Sequence, residues 1–97
     1  MSESIRKDQW VWVVVQDPGG HEQFLGQYDQ EKDVSFIPLF LEKEEAQQCL
    51  KIMPHETGHT YEVQAIRYDD LSGRAVENGF MLFVLNGAGE VVDKVKP

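Results

Sequence analysis

Residues His55 to His59 read HETGH, the pattern H-E-x-x-H. Two histidines four apart on a helix can bring a ring nitrogen each to about 2.0–2.1 Å from one zinc ion, and the glutamate between them serves as general base. The chemistry implied is metal-dependent hydrolysis, with His55 and His59 as ligands and Glu56 as base. It requires a helix through residues 55 to 59 and a third ligand, for which the chain offers Asp69, Asp70, Glu77 or His21.

The neighbouring residues oppose that helix. Pro54 in a helix interior costs roughly 3 kcal/mol, so the preceding helix stops more easily than it continues. Gly58 adds about 1 kcal/mol relative to Ala. An extended segment fares no better, because four residues would separate the two backbones by roughly 13 Å. HETGH therefore reads as a loop between a helix and a strand, with no catalytic residue, metal or cofactor assigned. The zinc-dependent hydrolase is the alternative reading.

Other constellations are weaker. GHEQ puts His21 and Glu22 in a turn, where solvation is the ordinary fate of both side chains. Cys49 is near His55 in sequence, yet it falls on an apolar helical stripe and reads as a buried, inert thiol. DQEKD, residues 29 to 33, lacks the glycine and terminal glutamate of a calcium loop. NGAGE lacks the lysine and following helix of a phosphate loop, so a hairpin turn is expected there.

What must position these residues is a chain of 97 amino acids, enough for one core, so one α+β domain is expected over 1–97, with 1–8 as a flexible tail. With 41% hydrophobic residues it can fold without disulfides or a structural metal. Seventeen acidic against nine basic residues give a net charge of −8, which disfavours nucleic acid and anionic membranes as partners and suits a basic protein surface. The same charge is also an ordinary means of staying soluble. The opening MSESIRKDQW has no apolar signal region and the longest apolar run, Trp10 to Val15, is too short to span a bilayer, so a cytoplasmic location is expected.

QWVWVVVQ is apolar on both alternating faces and reads as a central strand. DPGGHEQ reverses the chain, and FLGQYD returns as its partner with Gly26 as a bulge. VSFIPLFL is a strand whose Pro38 favours an edge or bulge. In EKEEAQQCLKIM, Ala46, Cys49, Leu50 and Met53 form one helical stripe that ends before Pro54. TYEVQAIRY alternates as a half-buried strand, with Tyr61, Val63 and Ala65 on one face. DDLSGRAVENG reads as a helix of one or two turns, capped by Asp69 or Asp70 and stopped by a left-handed Gly79. FMLFVL and VVDKVK close a hairpin through NGAGE. The order β-β-β-α-β-α-β-β argues for an α+β fold: a single-layer antiparallel or mixed sheet with two short helices on one face.

FIPLFLEKEEAQQCL, YEVQAIRYDDLSGRAVENG and FMLFVLNGAGEV together resemble the core pattern of the SseB-like domains over about residues 34–92, with Gly87 where that pattern has proline. The resemblance implies a small bacterial α+β domain linked to secretion or stress contexts. It carries no catalytic residue onto this chain.

The expected function is a non-catalytic protein-interaction or accessory domain, monomeric or weakly dimeric, that presents a sheet face or edge to a protein partner. Trp10, Trp12, Phe36 and Phe40 are the interaction candidates, because aromatic residues anchor interfaces and edge strands accept added ones. A pocket between helix and sheet that binds a small ligand is a third reading, for which the sequence supplies no specific residues.

Overall fold

The computed structural model describes residues 5–20, 22–53 and 57–95. Strands β1 (Trp10–Gln16), β2 (Gln23–Phe24), β3 (Gln27–Asp29) and β4 (Val34–Leu39) are followed by helix α1 (Lys43–Ile52), β5 (Tyr61–Arg67), α2 (Tyr68–Asn78), β6 (Met81–Leu85) and β7 (Val91–Val95). This is the α+β order expected, with one refinement. The return strand divides at Gly26 into β2 and β3, which belong to different sheets.

One sheet has the order β2-β1-β5 and is antiparallel; the other has the order β3-β4-β6-β7, with β4 and β6 parallel. Trp12 and Phe40 exchange backbone hydrogen bonds of 2.9 and 2.8 Å, which stitch the two sheets together. Gly26, at the break in the return strand, lies where an added Cβ would come 3.2 Å from the Phe80 ring, close enough that the ring would have to shift by a few tenths of an ångström to admit it. Pro38 does not mark an edge: β4 lies between β3 and β6. However, β3 ends opposite Phe36, so no strand on that side asks Pro38 for the amide hydrogen it lacks.

The helices divide between the two faces in place of sharing one. Val11, Val13 and Val15 pack with Ile37, Leu39, Leu82 and Val84 beneath Leu71 and Ala75 of α2. Val14 packs with Phe36, Phe40, Phe83 and Leu85 beneath Ala46, Cys49 and Met53 of α1. The cause is β1 itself: a strand apolar on both faces leaves hydrophobic surface exposed unless each face is covered.

Helix α2 is longer than one or two turns and starts one residue before the expected caps. Its N-cap residue is Arg67, without a side-chain cap. The orphan N–H groups of Tyr68 and Asp69 donate instead to the carbonyls of Gln9 (2.8 Å) and Lys7 (2.9 Å). The same bonds, with Ile5 packed against the α2-side cluster, make the chain from residue 5 onward part of the domain, where a flexible tail is expected over 1–8. At the other end Gly79 is left-handed, at φ 74°, and its N–H reaches the carbonyls of Ala75 and Val76. Among the described residues, no helix is long and apolar enough to cross a membrane.

Candidate functional site

His55 and Glu56 lie outside the described residues, as does His21. His59 is described, and it is not on a helix: Thr57 and Gly58 form a turn, with Gly58 at φ +92°. Its Nδ1 lies 2.7 Å from Asp17 Oδ2, while the Thr60 N–H donates to Asp17 Oδ1 at 3.1 Å. The Asp17 N–H donates in turn to the Thr60 carbonyl at 2.8 Å. Asp17 is thereby held at φ +55°, a left-handed conformation that Asp tolerates better than most residues. The hydrogen bond from His59, then that from Thr60, keep the Asp17 carboxyl below its ordinary value.

The pair pins the end of β1 to the start of β5. Of the third-ligand candidates, Asp69 and Asp70 follow the far end of that seven-residue strand, roughly 20 Å away at strand rise. Asp69 is paired there with Arg67 at 2.9 Å. Among the described residues, no group of three metal-ligating side chains converges. The sequence gives little warning of Asp17 as the partner of His59, since 42 positions separate them and only the strand register brings them together.

The remaining polar constellations are committed to loop geometry. Glu22 accepts from the Gly19 N–H at 3.2 Å. Asp29 accepts from the N–H groups of Glu31 and Lys32, and Asn86 from those of Ala88 and Glu90. These carboxylates and amides close turns, as Asp and Asn do when they mimic a backbone turn. Cys49 is buried, and burial pushes its thiol up, away from the reactive thiolate.

The aromatic candidates separate by burial. Phe36 and Phe40 are core: Phe36 stacks on Phe83 with centroids 4.4 Å apart, and Phe40 is fully buried, so neither presents surface to a partner. Trp12 is half-buried against the α1-side cluster, with the Lys43 ammonium 5.6 Å above its ring. Trp10 is 60% exposed.

Two surfaces stand out that residue types alone do not reveal. The first is the outer edge of β5, which among the described residues pairs with β1 alone. The bonds Tyr68–Gln9 and Asp17–Thr60 bracket the register and fix its parity, so Glu62, Gln64 and Ile66 direct their backbone groups to β1. Those of Val63 and Ala65 point outward. The second is a cleft of about 650 Å³ between α2 and the three-stranded sheet, floored by Val13, Val15, Ile37 and Ile66 and bordered by Phe24 and Arg74.

No protein-family model matches the chain, and no match was found among curated proteins or among solved structures.

Proposed function

We propose that the chain is a non-catalytic interaction domain that takes an extended, basic segment of a protein partner as an added strand on β5. The observation that carries this reading is the middle of the outer edge of β5: among the described residues, Val63 and Ala65 direct their backbone groups to no neighbouring strand, and β5 contains neither Pro nor a bulge. The other sheet edges are β2 and β3, of two and three residues, and β7, which carries Lys94 and a register irregularity. In strand addition the main chain supplies affinity and alternate side chains supply specificity.

Both faces beside this edge suit such side chains. Ala65 is exposed on one face, and exposed Trp10 lies on the same face of the neighbouring strand. On the other face Gln64 and Ile66 border the cleft under α2. Glu62 lies on β5 and Asp69 and Asp70 follow it, Asp69 paired with Arg67, and the net charge of −8 favours Lys or Arg in the partner. The resemblance to SseB-like domains, which transfers no catalytic residue, accords with a binding role, and a cytoplasmic setting belongs to the same proposal.

Selection from a library of random heptapeptides tests it. Enriched peptides should alternate Lys or Arg with apolar residues, bind more weakly in salt, and slow hydrogen exchange at the Val63 and Ala65 amides. Ala65→Pro, which removes an outward N–H, should abolish binding while the fold persists. Unchanged binding by that variant would overturn the proposal.

A further inference from the structure

We infer that the cleft between α2 and the three-stranded sheet is a second binding site, for a small apolar monocarboxylate, with Arg74 as the residue that recognises the carboxylate. The cleft volume of about 650 Å³ lies within the usual range for small-molecule sites. Phe24, Ile66 and Phe80, each half-buried, offer its apolar surface, over Val13, Val15 and Ile37, which are almost fully buried, and polar side chains make up the rest of the lining.

The charge at the rim specifies the ligand. Among the described residues no carboxylate lies within ion-pairing distance of the Arg74 guanidinium, although the chain holds 17 acidic residues and two of them, Glu22 and Glu77, border the same cleft. The guanidinium instead lies over the Phe24 ring, 5.5 Å from its centroid. Stacking of this kind fixes the plane of an arginine while its N–H edge can still take a carboxylate in bidentate fashion. Glu22 is engaged with the Gly19 N–H and cannot easily turn to Arg74. The two glutamates also set an upper limit on ligand charge. Arg74 with Glu22 and Glu77 leaves the rim with one net negative charge, so an anion is held only by direct pairing with the guanidinium, and a phosphate or a dicarboxylate is repelled more strongly than a monocarboxylate. An apolar body on the aliphatic floor with one carboxylate at Arg74 satisfies both constraints.

The inference does not rest on strand addition, since the ligands that fit the cleft are too small to pair with β5, although an added strand would bring side chains to the same cleft beside Gln64 and Ile66. The test is a titration with 3-phenylpropionate followed by NMR of the Val13, Val15, Ile37 and Ile66 methyl groups, with phenethylamine as the charge-reversed control. The acid should move these methyls saturably and the amine should not. Arg74→Gln should weaken the acid by about tenfold or more, and Arg74→Lys, which keeps charge without the planar fork, by less. Arg74 is exposed, so both variants should fold, and their amide spectra would verify it. The inference is overturned if the methyls do not respond at millimolar acid, if the amine binds as well, or if Arg74→Gln leaves the affinity unchanged.

Discussion

The two faces of the sheet system carry similar apolar surface but fill it differently. Under α1 the space is filled by aromatic rings, Phe36, Phe40 and Phe83, interleaved with Cys49 and Met53. Under α2 the buried side chains are mainly Val, Leu and Ile, and the layer opens into a cleft where Phe24 and Arg74 meet it. The difference is one of filling more than of closure: both clusters are buried to a similar degree, and a cleft borders each, of about 650 Å³ beside α2 and about 620 Å³ beside Leu25, Met53 and Tyr61.

The largest effect expected is from Phe40→Ala, which removes a fully buried ring that also sits at the junction of the two sheets and should cost about 3–5 kcal/mol in chemical denaturation. A matched pair tests the contrast between the faces directly. Leu85 on the α1 side and Ile37 in the cleft floor are each 3% exposed. Truncation of Leu85 to Ala should fall well within the ~2–5 kcal/mol range for buried aliphatic residues, while Ile37→Ala should fall at its lower end, because water in the cleft can fill the space vacated. Equal costs would show that the α2 face is filled as well as the other.

Smaller changes sharpen the comparison at α2. Gly73 is exposed in mid-helix and an added Cβ would meet nothing within 4 Å, so Gly73→Ala should stabilise by about 0.5–1 kcal/mol without altering ligand binding. Conversely, Gly79→Ala should destabilise by roughly 1 kcal/mol, since its φ of +74° is strained for any residue with a side chain.

The Asp17–His59 pin has the mildest signature. Because Asp17 titrates below its ordinary value of 3.8 in the folded chain, its contribution to stability is present above that value and fades as pH falls through the lower folded one. Replacing His59 by Ala should raise the Asp17 midpoint, read from the carboxyl carbon by NMR; the Thr60 N–H should keep part of the shift. No movement would mean that the pair does not form in solution.

Much of the fold was legible before any coordinates. The strand over Tyr61–Arg67, the stripe through Ala46, Cys49, Leu50 and Met53, and the stop at Gly79 each follow from local periodicity or backbone preference and appear where expected, but burial along β5 does not follow the alternation, since Ala65 is exposed and Gln64 half-buried. The failures have physical causes of their own. The start of α2 escaped because its first N–H groups are capped by carbonyls of Lys7 and Gln9, some sixty residues earlier, which no local cap signal can indicate. Pro38 suggested an edge because pattern alone cannot tell how far a neighbouring strand extends. Phe36 and Phe40 read equally well as interface or core until their burial was known.

The sequence by itself determined the element types and their order, through spacing of apolar residues, turn chemistry and the two-sided hydrophobicity of β1. It also made HETGH a poor helix, since Pro54 and Gly58 both disfavour one. Only the tertiary structure decided which side chains meet, Asp17 with His59 and Arg74 with Phe24, and that a cleft lies between α2 and the three-stranded sheet. The reason is that local propensity acts over a few residues, whereas these sites depend on strand register and on which helix covers which face.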